Sequence, residues 1–355
     1  MVRAECVGFK YSAGGTLMPY VPIVRTKAGE LDAFARLLSH TVQGLIPCLE
    51  LQPLEWEATK VQKNLESWAK KLQRSWPWET RCLLDLNVLD GSPWLGSALQ
   101  ALTTYGPSFT PVVTQASSPA FHSAISPYTE HDMGLCLRLN LNSQDLSNDI
   151  SQLLSHHAAL TADKIDVIVD FGAHTSIPLS IAPAITQTIA SLPHVTDFRM
   201  VAFAATTFPE NMAGFQRGIS PASRGEWAFW QALRSQPALP RRIEFSDYTA
   251  AYPSDGFFDP LTMQMGAKIK YTADSHWVIV KGQGIKGRGY EQYRTLCADL
   301  MQLPEYCGSS FSWGDEFIEQ CANGGKLGNA RTWVSVAVNH HVVFVRDQLA
   351  NLGVL

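Results

Sequence analysis

The sequence predicts a (β/α)8 barrel, and three observations carry that prediction. Eight short apolar runs recur along the 355 residues, stretches with helical periodicity separate them, and the runs are apolar throughout instead of alternating. A strand with two apolar faces is buried on both sides, as in parallel sheets, which disfavours an antiparallel sandwich.

The runs lie at residues 20–26, 45–51, 82–88, 109–114, 134–141, 165–171, 198–205 and 242–248. After the first, Leu31, Phe34, Leu37 and Leu38 fall on one helical stripe. After the second, Val61, Leu65, Trp68 and Leu72 do the same, with Lys60, Lys63, Lys70, Lys71 and Arg74 on the solvated face. Past the eighth run, residues 267–272 and 276–281 read as a β-hairpin turning at Ala273-Asp274-Ser275, an insertion over about 266–282. Tyr290, Tyr293, Leu296, Cys297 and Leu300 then follow helical spacing. So do Trp333, Val336, Ala337, His340, Phe344 and Val345, in a final helix that stops before Gly353. His340 on that stripe reads as a packed, hydrogen-bonded histidine.

A hydrophobic content of 46% supports one barrel domain over 17–355, with the hairpin insertion and a C-terminal helical segment, after an extension at 1–16. That extension lacks the apolar core of a signal peptide. A net charge of −4 makes no general case for nucleic acid or an anionic membrane. No apolar stretch approaches the roughly 18 residues that a membrane span needs. Seven scattered cysteines, an odd number without C-x-x-C, suit core packing and a reducing cytoplasm. With no H-x-H or H-E-x-x-H pattern, a zinc centre is not expected.

Strand parity sorts the polar residues, because i and i+2 share a face. Pairs such as Leu83 and Asp85, Cys136 and Arg138, Ile168 and Asp170, Cys48 and Glu50, and Phe245 and Asp247 each place an apolar residue first and a charge near the carboxyl end. Together with Arg25 and Lys27 of the first strand, they form a charged rim at the end where such barrels carry chemistry. Arg25, Lys27 and Arg138 suit a phosphate or carboxylate. Asp85, Asp170, Glu50 and Asp247 suit proton transfer, and the carboxylates could also hold a divalent cation. The competing reading of the rim is a salt-bridge network kept for stability, an expensive design compared with Leu and Val. A second anion cradle is expected in the glycine-rich stretch 281–289, with Lys281, Lys286 and Arg288 before a helix.

The opening stretch 20–30 (YVPIVRTKAGE), the sixth-strand IDVIVD of 165–170, Trp277 and Gly282 of the hairpin, Tyr290 and Tyr293, the Ser312-x-Gly314-Asp315 segment, and Trp333 with Asn339-His340-His341 together resemble the beta protein family of bacteria and phages. The resemblance covers nearly all of the chain beyond residue 16. It departs at Arg25, where a sequence of this type would carry lysine; the charge is kept and the hydrogen-bonding geometry changes. The resemblance implies a phage or mobile-element setting and names no reaction.

Two function classes follow. One is an enzyme acting on an anionic, phosphorylated or nucleotide-like small molecule. The other is a non-catalytic component of a phage-defence or toxin–antidote assembly, binding a protein from a neighbouring gene. Exposed aromatics would favour the second, and Trp76, Trp78, Trp227, Trp230 and Trp313 are expected in or beside loops.

Overall fold

The computed structural model describes residues 18–51, 61–130, 133–253 and 265–352. The extension expected at 1–16 lies outside them. All eight apolar runs become strands: β1 (Tyr20–Arg25), β2 (Cys48–Glu50), β3 (Cys82–Asp85), β4 (Phe109–Thr114), β5 (Leu135–Asn140), β6 (Ile165–Ala173), β7 (Met200–Thr206) and, after an intervening β8 (Gly218–Ser223), β9 (Glu244–Asp247). They pair in parallel in chain order, and β9 joins β7 to β1 to close the barrel.

Helices fill the connections: α1 (Ala28–Phe34) and α2 (Ser39–Val42), α3 (Val61–Ser75), α4 (Leu95–Tyr105), α5 (Pro119–Ile125), α6 (Leu146–Ser155), α7 (Ala182–Ala190) and α8 (Gly225–Arg234). Their starts follow from local chemistry. Ser118 caps α5 by accepting from the Phe121 N–H, with Pro119 in the first turn, and Asp145 caps α6 through the Asn148 N–H. Gly134 enters β5 with φ +68°, where a Cβ would lie 1.9 Å from the Lys164 carbonyl, so only glycine fits.

Parity divides the core in two. Val21, Ile23, Cys48, Leu83, Val112, Cys136, Ile168, Ala202 and Tyr248 pack inside the barrel. The alternate residues, among them Tyr20, Val24, Cys82, Leu84, Val113 and Phe245, pack against the helices. Trp76, Trp227 and Trp230 belong to that outer core and are fully or nearly fully buried. Trp227 and Trp230 lie within α8, not in loops, and Trp76, which does sit just past the end of α3, is buried, so none of the three is an exposed aromatic.

Beyond β9 the hairpin forms as β10 (Gly266–Thr272) and β11 (His276–Gly284). It is followed by α9 (Ile285–Arg288), α10 (Gln292–Met301), α11 (Trp313–Ala322) and the long α12 (Ala330–Leu352). The sheet has a third strand that the sequence did not announce: β8 pairs antiparallel with β11. Its Gly-Ile-Ser-Pro-Ala-Ser composition is weak for a strand, and Pro221 is tolerated because β8 lies at the sheet edge. Ala267, Ile269, Tyr271, Val280, Leu296 and Ile318 form a separate core under this sheet.

α12 ties the sheet to the barrel. His340 and His341 are fully buried, and Thr272 at the end of β10 meets both. The Thr272 carbonyl lies 2.9 Å from His340 Nε2, and its hydroxyl lies 2.9 Å from His341 Nδ1. His340 Nδ1 reaches Asp315 of α11 at 2.8 Å, while His341 Nε2 reaches Asp247 of β9 at 2.9 Å. Tyr20 of β1 donates to the same Asp247 at 2.7 Å.

Candidate active site

Four strands deliver the rim. Cys48, Leu83, Cys136 and Ile168 face the interior, so Glu50, Asp85, Arg138 and Asp170, two residues further on, face the carboxyl mouth above them. Parallel register sets Arg25 beside Glu50 and Glu50 beside Asp85. In β6 the register shifts between Asp170 and Gly172, and Gly172 has φ +77°. This bulge lets the Gly172 N–H donate back to Asp170 Oδ1 at 2.9 Å, which fixes the carboxylate.

Arg138 is the hub. Its Nε donates to Asp170 Oδ2 at 2.9 Å, Nη1 to Asp85 Oδ2 at 3.1 Å, and Nη2 to the Tyr248 hydroxyl at 3.1 Å. Tyr248 in turn donates to Asp170 at 2.6 Å, and Glu50 stands 3.9 Å from Arg138 Nη1. Asp85 Oδ1 accepts from the Asn87 backbone and side-chain amides at 3.0 and 2.8 Å. Three carboxylates thus surround one guanidinium, which occupies the position between them that a shared cation would take. Among the described residues, no three His, Cys, Asp or Glu side chains are arranged to hold a metal ion.

The environment separates these groups. Burial raises the Glu50 carboxyl above its ordinary range, with Arg138 opposing and Asp85 adding to the shift. Glu50 is also the most accessible of the three carboxylates, its side chain 31% exposed against 8% for Asp85 and 12% for Asp170. Burial, reinforced by Asp170, pushes the Tyr248 phenol far up, so it acts as an O–H donor. A cleft of about 620 Å³ opens onto Arg138 and Asp170, with Thr114, Asn140, Ser143 and His174 among its walls.

Beside this hub lies a second group, of which only Arg25 entered the sequence-based list of site residues. Arg25 Nη2 donates to the Tyr252 carbonyl at 3.3 Å, and its backbone N–H donates to Glu30 Oε2 at 2.8 Å. Burial raises buried Glu30 to about 7, against the Arg25 N–H and the charges of Arg25, Lys27 and Lys270. Burial likewise lowers Lys270 of β10 to about 7, helped by Lys268 and resisted by Glu30. Lys270 Nζ donates to the Ala250 carbonyl at 2.8 Å and sits 4.5 Å above the Phe208 ring.

Several sequence-based placements need correction. Asp247 points away from the mouth into the helix layer, where Tyr20 and His341 hold it. Parity was misread in β9, because the interior residues are Ser246 and Tyr248, and Phe245 packs against Trp227 and Trp230. The cradle expected at 281–289 is largely strand and short helix: β11 continues to Gly284, and Lys281 donates to the Met212 and Phe215 carbonyls at 2.7 Å each. Lys286 and Arg288 project into solvent from the short α9, whereas Lys27, exposed at the start of α1, keeps its place just past the end of β1. Tyr248, Glu30 and Lys270 escaped sequence reasoning. Tyr248 was legible as the inward residue after Ser246; Glu30 and Lys270 meet only through the hairpin's placement.

Fold and mouth together define a (β/α)8-barrel protein with a polar cleft among its strand ends. The chain belongs to the Beta protein family, whose model matches residues 20–347. No curated protein is similar to it.

Proposed function

We propose that this is a phage- or mobile-element-associated barrel enzyme of the reducing cytoplasm. It acts at its carboxyl mouth on an anionic, phosphorylated or nucleotide-like small molecule. The observation that carries the reading is the open cleft lined by Arg138 and Asp170, because a charge network kept only for stability has no need of a cavity beside it.

In this reading Glu50, accessible and raised, exchanges protons with substrate. Asp170, held by Tyr248, Arg138 and the Gly172 N–H, presents a carboxylate to a bound group and can accept its proton. Arg138 has Nε and both Nη groups engaged, so it orients Asp85, Asp170 and Tyr248, and the anionic group falls to Arg25 and Lys27 at the end of the first strand. The alternative, a non-catalytic partner in a defence or toxin–antidote assembly, keeps only part of its expected marker, since Trp76, Trp227 and Trp230 are core residues while Trp78 and Trp313 are half-buried.

A panel of nucleotides and sugar phosphates, followed by thermal melting and product analysis, tests the proposal. A ligand should raise the melting temperature, and Glu50→Gln and Asp170→Asn should still bind it while losing turnover. If no ligand stabilises the protein and no product forms, the enzyme reading falls.

A further inference from the structure

The opposite end of the barrel carries a second charged cavity. At the amino ends of the strands, a pocket of about 410 Å³ is lined by Arg81, Arg199, Arg241, Arg242 and Glu244 over a floor that includes Met200. These residues immediately precede or begin β3, β7 and β9, so barrel closure brings together four arginines that are far apart in sequence.

Each guanidinium is held in place. Arg81 and Arg199 grip Asp166 of β6, whose side chain is fully buried: Arg199 contributes bonds of 3.0 and 2.8 Å, and Arg81 Nη2 one of 3.1 Å. Arg241 Nη1 donates to the Val195 carbonyl at 3.1 Å, and Arg242 Nε donates to Glu244 Oε1 at 2.8 Å. Four fixed positive charges therefore face the two carboxylates of Asp166 and Glu244, and the excess is positive.

A second observation concerns Glu244 itself. It is only 3% exposed, and its Oε2 is buried with no hydrogen-bond partner among the described residues. A buried carboxylate oxygen in that position is costly unless a donor meets it or it carries a proton. Burial raises the Glu244 carboxyl, with Arg242 opposing, which favours the protonated form and lessens the negative charge set against the four arginines.

We propose that this amino-terminal pocket binds a small phosphate-type oxyanion. Its oxygens accept from the arginines. Arginine forks match the geometry of phosphate, and a pocket of about 410 Å³ suits inorganic phosphate or pyrophosphate better than a polymer. The site is separate from the carboxyl mouth and stands whether or not the reading of that mouth does.

Isothermal titration of the full chain with inorganic phosphate and with pyrophosphate, at ionic strength matched with chloride, tests the inference. Saturable binding is expected, weakened at least tenfold in Arg242→Gln and in the Arg241→Gln/Arg242→Gln double variant. Should the double variant fold poorly, phosphate line broadening in 31P NMR with wild type and Arg242→Gln gives the same comparison. Absence of saturable binding overturns the proposal, as does unaltered binding by Arg242→Gln.

Discussion

Arg138 Nε donates to Asp170 Oδ2 at 2.9 Å across neighbouring strands, and the same guanidinium reaches Asp85 at 3.1 Å on its other flank. One cation thus supports two nearly buried carboxylates. Arg138→Ala should leave both without it and cost about 3–5 kcal/mol of folding free energy. Arg138→Lys should recover less than half of that, because an ammonium cannot fork toward two acceptors. Urea unfolding measures both, and a loss below about 1 kcal/mol for the alanine variant would mean the network is not held by Arg138.

Tyr248→Phe isolates the phenol. Asp170 would keep Arg138 and the Gly172 N–H, so the loss of one donor should cost roughly 1–3 kcal/mol. If Tyr248 also relays protons, turnover should fall further than stability does, and its pH profile should change shape. Equal losses in both would reduce Tyr248 to a packing and hydrogen-bonding residue.

Glu30 and Lys270 give opposite pH dependences. Between pH 4.5 and about 7 the folded state holds the Glu30 proton more tightly than the unfolded chain, so stability falls as pH rises, by on the order of 3 kcal/mol. Between about 7 and 10.5 the unfolded chain holds the Lys270 proton more tightly, so raising the pH adds stability. The pair contributes least near neutrality. Melting curves across pH should show Glu30→Gln flattening the acid limb and Lys270→Met flattening the alkaline one; limbs that persist in these variants would assign the effect elsewhere.

Asp247 tests the tie between sheet and barrel. Asp247→Ala would strip Tyr20 and His341 of a partner in a dry interior and should cost roughly 2–4 kcal/mol. Asp247→Asn should be milder. Its amide can donate to His341 Nε2 if the ring moves its proton to Nδ1 and donates to the Thr272 hydroxyl, a tautomer change that 15N NMR reads directly.

The barrel was legible because each strand is apolar on both faces, and the rim was legible in β2, β3, β5 and β6 because a charge follows an inward apolar residue by two. The same rule failed in β9. There Phe245 is apolar yet faces the helices, and in a strand buried on both sides polarity alone does not say which face is interior. β8 carries too little apolar pattern to announce itself. That Arg138 would be enclosed by its neighbours depended on register between strands tens of residues apart. The arginine pocket depended on ring closure, which no local window contains.

The bond network around Tyr20 has a consequence for synthesis. Tyr20 and His341 are 321 residues apart yet meet at 3.1 Å. At about 5–20 residues per second, the ribosome delivers the second roughly 15–60 s after the first. Until then β1 is a nascent edge whose tyrosine lacks its finished surroundings. The pace of translation over the last hundred codons, and whatever shields the opening strand meanwhile, therefore bears on how much of this protein reaches its native state.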